Sequence, residues 1–345
     1  MVKRSTFLLD SWHRRTSTTI ADTLSTHLPR SQLTSTDGTP VAWHSQQAWL
    51  KALAQDATVL PGRADPDLRQ HSSPHGQRAY RLYVPMSAPP GPRPLLIMLH
   101  GCTQNSADFA LGTRMNEVAE ERGVIVAYPE QARSANMSLC WNWFQPADQA
   151  WGSGEPAILA SIVAEIMLEY EVDSQKVFVA GLSAGGAMAA ILGATYPDLF
   201  RAIGIHSGLP HRAAHDIGSA ISVMRTGRTS SDVRSRIPII VLHGANDGTV
   251  HPENGVSAAG LHKASQVSVE CGTDNRRRYV RTTAPQMGEV PAFEHWSIEH
   301  LDHAWSGGDP RGSFTDPLGP DASREMIRFF LDPELVQTPS LRTAV

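Results

Sequence analysis

The sequence predicts an α/β fold, in which a mostly parallel central sheet carries helices on both faces. Short apolar runs alternate along the chain with longer segments of helical periodicity, and this alternation favours right-handed crossovers between parallel strands. Residues 95–99 are apolar without interruption, which is typical of a strand buried on both faces. Residues 176–190 join an apolar strand to an Ala-rich helix through a Gly-Ser turn. We therefore predict a single domain over residues 77–333.

The first half of this domain contains three predicted strands and one long helix. Residues 78–84 alternate in polarity and stop at Pro85, so they predict a strand that pairs antiparallel at the edge of the sheet. Residues 95–99 form the buried strand described above. Residues 105–122 have one apolar side and predict a helix, and residues 124–129 predict the next strand.

The second half continues the alternation of helices and strands. Residues 156–170 carry large apolar side chains at helical spacing. The remaining predicted strands lie at residues 176–180, 202–206, 237–242 and 293–298, and a closing helix lies at residues 324–331. Because reactive groups gather at the carboxyl ends of strands in such sheets, we expect the functional residues in the loops that follow these strands.

Residues 1–76 differ from the rest of the chain. They are rich in Ser, Thr, His and Gln and show no strand pattern, so we expect a leader that is partly ordered or packed on the body. Within it, residues 43–57 have the pattern of a short amphipathic helix, and Trp12, Trp43 and Trp49 offer apolar surface. Residues 334–345 are expected to form a C-terminal tail.

The composition is that of an ordinary globular protein, with 41% hydrophobic residues, 19% charged residues and a net charge of −4. The absence of a long basic run argues against nucleic-acid binding. No stretch approaches the ~20 apolar residues of a transmembrane helix, and the N-terminal apolar run is shorter than the ~7–15 residues of a secretory signal. We expect a cytoplasmic protein, or a secreted one if the numbering starts after processing.

A G-x-S-x-G motif occupies residues 181–185, between the strand at 176–180 and the Ala-rich helix. This is the context that the motif has in a nucleophile elbow. The glycines let the backbone segments of a sharp turn approach each other, and the serine hydroxyl projects above a helix N-terminus that favours a developing anion. We interpret Ser183 as a nucleophile; the alternative is a Gly-Ser turn of no catalytic meaning.

A serine nucleophile needs a general base, and the base needs a carboxylate that fixes its tautomer. The chain order serine, acid, histidine points to Asp247, which follows the strand at 237–242. Glu253 lies farther from the end of that strand, and Asp302 is adjacent to the preferred base, where it is poorly placed to orient the ring. The alternative interpretation of Asp247 is a simple turn residue before glycine.

The predicted base is His303, because among the 15 histidines it alone combines a position after the last strand with a glycine-rich flank. The proximity of His295, His300 and His303 in sequence is also compatible with a metal site. However, the chain has no H-E-x-x-H motif there, and we predict no metal. His100 and His243 are interpreted as structural residues at strand ends.

Two backbone N–H groups are expected to form an oxyanion hole. One belongs to Ala184, the residue after the nucleophile, and the other to the loop that follows the strand at 95–99. Within that loop Cys102 is the predicted donor. Such a donor lowers a barrier by ~3 kcal/mol, and it does so through the backbone rather than the side chain.

Six sequence blocks, in chain order, resemble the polyhydroxybutyrate depolymerase family of esterases, an α/β-hydrolase group that also includes feruloyl and acetylxylan esterases. The blocks are LHGCTQ at 99–104, CWNWF at 140–144, AGLSAGGAM at 180–188, HSGLP at 206–210, HGANDGTV at 243–250 and HAWSGG at 303–308. The resemblance covers residues 77–333. It implies an α/β-hydrolase fold and hydrolysis of short-chain hydroxyalkanoate esters, polymeric or oligomeric, by Ser183, Asp247 and His303 without a cofactor.

The resemblance also places two loops around the site. It suggests that Cys102 and Cys140 form a disulfide. Trp141, Trp143 and Trp305, with Trp151 as a further candidate, are interpreted as binding substrate in an apolar cleft; the alternative is that two or three of them are packed in the body. Two alternatives remain open. The first is a feruloyl or acetylxylan esterase with the same triad, and the second is a catalytically silent protein that coats polyester granules.

Overall fold

The computed structural model describes residues 58–60, 68–87, 90–227, 235–264, 266–287 and 290–332. The predicted leader helix and tail, at residues 43–57 and 334–345, lie outside these ranges, as do Trp12, Trp43 and Trp49.

Within the described ranges, eleven strands form one sheet in the order β1-β2-β3-β5-β4-β6-β7-β8-β11-β10-β9. The strands are β1 Thr58–Leu60, β2 Leu68–Ser73, β3 Gly76–Tyr83, β4 Arg93–Leu99, β5 Ile125–Glu130, β6 Val172–Leu182, β7 Ala202–His206, β8 Ile239–Gly244, β9 Ser268–Asp274, β10 Arg277–Ala284 and β11 Phe293–Ile298. The central run from β5 to β11 is parallel, and the outer strands on both sides are antiparallel. The predicted mostly parallel sheet is therefore confirmed. A separate pair consists of β12 Trp305–Ser306 and β13 Thr315–Asp316.

Seven α-helices lie within the described residues. They are α1 Ser106–Thr113, α2 Met115–Arg122, α3 Gly154–Glu169, α4 Ala184–Thr195, α5 Ile217–Thr226, α6 Glu253–Ala259 and α7 Ala322–Phe330. Residues of α3 and α4 belong to one hydrophobic core, and residues of α1, α2 and α7 belong to a second. Both faces of the sheet are thus covered by helices. None of the helices in the described ranges has the length and apolarity needed to cross a membrane.

Strand β4 shows why an uninterrupted apolar run marks a central strand. Leu95, Ile97 and Leu99 belong to the first core, whereas Leu96 and Met98 belong to the second. Successive side chains of a strand point to opposite faces, so a strand covered on both sides needs apolar residues at every position.

The prediction of no strand before residue 77 is wrong, because β1 and β2 extend the sheet beyond β3. The strand predicted from residue 78 is antiparallel, but it is not at the edge. In β2, His71 is buried, with Nδ1 2.6 Å from Glu165 Oε2 and Nε2 2.6 Å from Ser161 Oγ. Hydrogen bonds rather than apolar contacts thus hold this strand to α3, which explains why its polar sequence shows no apolar alternation.

The long helix predicted over residues 105–122 is interrupted. Arg114 has φ 55°, in the left-handed region, and separates α1 from α2. The Asn105 side chain accepts from the N–H of Asp108 and so begins α1, and Gly123 ends α2. The β9–β10 hairpin and helices α5 and α6 were also not predicted.

Candidate active site

The three predicted catalytic residues follow three strands of the parallel region. Ser183 follows β6, Asp247 lies after β8, and His303 lies after β11. In the sheet these strands are close together, in the order β6-β7-β8-β11. The carboxyl ends of parallel strands meet at the same edge of a sheet, so the three side chains lie on loops at one edge.

Ser183 occupies a sharp turn between β6 and α4. Its backbone has φ 57° and ψ −118°, a conformation that few non-glycine residues adopt. The Ser183 N–H donates to His206 O at 2.9 Å, which anchors the turn to β7. A Cβ atom on Gly185 would lie 2.0 Å from Leu99 O, and one on Gly181 would lie 2.4 Å from the Gly185 carbonyl carbon. Both glycines are therefore required by close backbone approach.

The Ser183 hydroxyl makes no hydrogen bond with any of the described residues. The residue is 8% exposed, and Gly101 lies beside it: a Cβ on Gly101 would be 3.6 Å from Ser183 Cβ. The serine thus lies between the loop after β4 and the start of α4, with its oxygen uncommitted.

Asp247 is surrounded by hydrogen-bond donors. Its Oδ1 accepts from the N–H groups of Thr249 and Val250 at 2.9 and 2.8 Å, and its Oδ2 accepts from His303 Nδ1 at 2.8 Å. His243 Nε2 lies 3.3 Å from the same Oδ2 and donates to Val250 O at 2.9 Å. The structure therefore brings Asp247 and His303 together and adds His243 as a second imidazole on the carboxylate.

This environment keeps Asp247 ionised. Burial would raise the pKa of Asp247, but the hydrogen bonds from His243 and His303 and their charges outweigh it and hold the pKa well below its usual range. Because an ionised Asp247 can only accept, His303 Nδ1 is the donor of this bond, and in the neutral tautomer with the proton on Nδ1 the free lone pair is on Nε2. That is the tautomer a general base requires.

The alternative acids have other partners. Asp302 Oδ1 accepts from the N–H of His303 in its own loop at 2.8 Å and from the N–H of Gly248, in the loop that carries Asp247, at 3.3 Å. Glu253 lies at the start of α6, with Oε1 2.5 Å from His262 Nε2. Neither carboxylate contacts the imidazole of His303.

The histidines considered for a metal site do not converge. His295 is buried in β11, where burial lowers its pKa to about 3, and His300 begins the following loop with φ 59°. Among the residues described, no group of three or more His, Cys, Asp or Glu side chains is arranged to hold a metal ion.

The loop after β4 presents an unused backbone donor next to Ser183. Within the described ranges, the N–H groups of Cys102 and Ala184 make no hydrogen bond, whereas Gly101 N–H donates to Gln104 Oε1 at 2.9 Å and Thr103 N–H donates to Ser138 O at 2.7 Å. The neighbouring donors are therefore occupied, and the two predicted oxyanion donors are available.

A second loop holds this one in place. Cys102 and Cys140 are joined by a disulfide, and Trp141 Nε1 donates to His100 O at 3.1 Å. His100 Nδ1 donates to Gly101 O at 2.8 Å, and its Nε2 accepts from Gln131 N–H at 3.0 Å. Burial lowers the pKa of His100, so the ring stays neutral, as this pattern of one donor and one acceptor requires.

The prediction that Trp141, Trp143 and Trp305 bind substrate in an apolar cleft is wrong, because they are 0%, 5% and 0% exposed and so are packed in the body. Trp305 stacks on His206 at 5.0 Å and donates through Nε1 to Ser323 Oγ at 3.2 Å. Each indole N–H of Trp141 and Trp305 has a partner inside the protein, so these rings can be buried fully. They stabilise the site loops as part of the packed interior.

His206 is a supporting residue that the sequence alone did not single out. Its Nε2 accepts from Ser306 N–H at 3.1 Å, and so ties β7 to the loop that carries His303. Burial, together with His243 and His303, lowers its pKa to about 3 and keeps it neutral. Two further residues were not assigned a role from the sequence, namely Gln104, at the end of the LHGCTQ block, and Phe314, which lies outside the six blocks.

Loss of the disulfide is expected to destabilise the protein and weaken the oxyanion loop. The two cysteines are 38 residues apart in sequence, so the double variant Cys102→Ser, Cys140→Ser should unfold more easily by about 4 kcal/mol on the loop-entropy estimate. Urea unfolding and ester kinetics measure the two effects. Cys271→Ser is the matched control, because Cys271 is exposed and unbonded. Equal stability of the double variant and this control would contradict the expectation.

Comparison with known proteins assigns the family. Residues 78–270, more than half of the chain, match the family model described as "Esterase PHB depolymerase". The chain belongs to this family of esterases. The matched segment contains the Ser183 elbow, Asp247 and both cysteines of the disulfide, whereas His303 lies beyond its end.

The curated relatives of this family member act on different esters, according to their names. Poly(3-hydroxyalkanoate) depolymerase C of Paucimonas lemoignei is 31% identical over 186 residues, which are 50% of this chain and 44% of the relative. Feruloyl esterase B of Neurospora crassa is 33% identical over 150 residues, 43% of this chain and 50% of the relative. A probable acetylxylan esterase A of Aspergillus fumigatus is 28% identical and covers 53% of each chain. The chain thus spans about half the length of these relatives.

Among solved structures, an acetyl xylan esterase from Aspergillus awamori is similar in fold. The TM-score is 0.55 at 22% identity, covering 68% of this chain and 93% of that one. At this identity the likeness concerns the fold alone, and it confirms the predicted α/β-hydrolase fold.

Proposed function

We propose that the protein is a serine esterase that hydrolyses short-chain polyhydroxyalkanoate esters, polymeric or oligomeric, through an acyl-enzyme intermediate. The observation that carries the proposal is the 2.8 Å hydrogen bond between His303 Nδ1 and Asp247 Oδ2, at the same edge of the sheet as a strained serine turn with an uncommitted hydroxyl. Membership of an esterase family supports the same chemistry.

In the first stage Ser183 Oγ attacks the ester carbonyl and His303 Nε2 takes its proton. Asp247, held ionised by its donors, stabilises the imidazolium that forms. The Ser183 hydroxyl makes no hydrogen bond with the described residues. Catalytic hydrogen bonds, such as the one from a nucleophile to its general base, often tighten only when substrate is bound. The imidazolium then protonates the departing alcohol, and the acyl group remains on Ser183.

The negative oxygen of the tetrahedral intermediate lies against the free N–H groups of Cys102 and Ala184. Each such donor is worth roughly 3 kcal/mol of barrier lowering. In the second stage His303 activates a water molecule, which releases the acid and restores the serine. The cycle uses only these side chains, two backbone amides and water.

The second candidate is a carbohydrate-side esterase, because relatives named as feruloyl and acetylxylan esterases match the chain about as well as the depolymerases do. Both candidates share the mechanism, so substrates must separate them. A panel of 3-hydroxybutyrate oligomers, feruloyl sugars and acetylated xylose oligomers is assayed with one enzyme preparation. We expect kcat/KM for the hydroxybutyrate trimer to exceed that for either sugar ester by about tenfold or more. A preference for a sugar ester would contradict the proposed substrate.

The Cys102–Cys140 disulfide bears on location. Such bonds persist in oxidising compartments and are rare where thiols are kept reduced. Of the two locations expected from the sequence, we therefore propose the secreted one.

A further inference from the structure

Phe314 is an exposed aromatic residue in contact with the proposed catalytic base. Its ring meets the His303 ring edge to face, with centroids 6.4 Å apart and an interplanar angle of 78°. The residue is 45% exposed, whereas Trp141 and Trp305 near the same loops are fully buried. Phe314 thus offers a large apolar surface to solvent next to His303.

The backbone of Phe314 is held in an unfavourable conformation. Its φ is 51°, in the left-handed region that bulky residues rarely adopt. The neighbouring groups over-determine it: Phe314 O accepts from Trp305 N–H at 2.7 Å, and Ser313 N–H donates to Asp108 Oδ1 at 2.9 Å. Surrounding contacts keep this strained conformation in place beside a reactive group. Such strain indicates that the position of the Phe314 ring is important for function.

The same contacts connect Phe314 to the oxyanion loop. Gln104 Nε2 donates to Ser313 O and to Asp108 Oδ2, each at 3.0 Å, while Gln104 Oε1 accepts from Gly101 N–H at 2.9 Å. One glutamine therefore joins the backbone before Phe314 to the backbone before Cys102.

The chemistry of the proposed reaction tells which part of the ester lies beside this ring. His303 delivers its proton to the oxygen of the departing alcohol, so the alcohol portion must lie next to the imidazole. A group on that alcohol carbon would reach the apolar face that Phe314 presents.

Resting on the proposed function, we propose that Phe314 is a specificity-determining residue that binds the alcohol portion of the ester and selects alcohols with a short hydrocarbon group. It does so by burying hydrocarbon against its ring, an apolar contribution that favours both binding and the transition state. The acyl portion is bound elsewhere and is not sensed by this residue.

The test uses two ester series. In the first, methyl acetate and butyl acetate vary the alcohol; in the second, methyl acetate and methyl hexanoate vary the acyl group. In Phe314→Ala the ratio of kcat/KM for butyl acetate to that for methyl acetate should fall about tenfold, and the acyl-series ratio should stay within about twofold of wild type. Phe314→Gly removes the ring but tolerates the positive φ, so the same change in both variants assigns the effect to the ring.

Leu168→Ala is the control, because Leu168 is an exposed apolar residue on α3 and should leave both ratios unchanged. An unchanged alcohol-series ratio in Phe314→Ala or Phe314→Gly, or a shift in the acyl series instead, would overturn the assignment of Phe314 alone. A wild-type enzyme that hydrolyses neither these esters nor 3-hydroxybutyrate oligomers would overturn the proposed function together with it.

Discussion

Ser183→Ala is expected to lower kcat/KM for ester hydrolysis by about 10⁴-fold or more, while the melting temperature stays close to that of wild type. The hydroxyl makes no hydrogen bond with the described residues, so its removal leaves no buried group without a partner. Chemistry is lost because no other oxygen is presented between the free N–H groups of Cys102 and Ala184. Steady-state kinetics and thermal unfolding on the same preparation check both parts.

The chain offers an unusual control for this variant. Ser161, His71 and Glu165 form a second serine–histidine–carboxylate set, with Ser161 Oγ 2.6 Å from His71 Nε2. Ser161 is 1% exposed and its hydroxyl donates to Ile158 O at 2.7 Å, so no ester can reach it. Ser161→Ala should lower the melting temperature and leave kcat within about threefold. Wild-type activity in Ser183→Ala, or its loss in folded Ser161→Ala, would reverse the assignment.

Asp247→Asn is expected to lower kcat by about 10³- to 10⁴-fold. Both carboxylate oxygens face donors, namely the N–H groups of Thr249 and Val250 on one side and His303 on the other. An amide must turn its NH₂ group toward one of these donors. If it faces the imidazole, His303 Nδ1 becomes the acceptor and Nε2 carries the proton, which is the wrong tautomer for a base.

Asp302→Asn is the matched control, because it changes the adjacent carboxylate without touching the imidazole. Within the described residues, Asp302 accepts from two backbone N–H groups, those of His303 and of Gly248 in the neighbouring loop, and it is exposed. We expect kcat to change by less than about fivefold. If Asp302→Asn were the more damaging change, Asp247 would not be the orienting acid.

The catalytic candidates could be predicted because each lies in a short, recognisable segment and because these segments follow a known order along the chain. The turn of Ser183 needs glycines on both sides, and Asp247 and His303 each follow a strand. Strand β4 could be predicted in the same way. Its uninterrupted apolar run fits a central position in a sheet that is covered by helices on both faces. The chain order serine, acid, histidine predicts the pairing of Asp247 with His303 that the structure shows.

Other features depend on partners that are distant in sequence. The sequence of an aromatic loop does not show whether its rings line a cleft or pack in the core. Trp141 can be buried because its indole N–H donates to the carbonyl of His100. The polar strand β2 is held by His71 and its partners in α3, which no periodicity reveals. Phe314 is exposed in a left-handed backbone conformation, and Ser313 before it donates to Asp108, far earlier in the chain.

The most direct test of the central claim is the site and rate of labelling by a fluorophosphonate, which reacts with activated serines. After reaction and proteolysis, mass spectrometry should find one adduct, on the peptide that contains Ser183. The labelling rate of Asp247→Asn should be lower by about 10³-fold. An adduct on another residue, or no adduct from a preparation that hydrolyses esters, would contradict activation of Ser183 by His303 and Asp247.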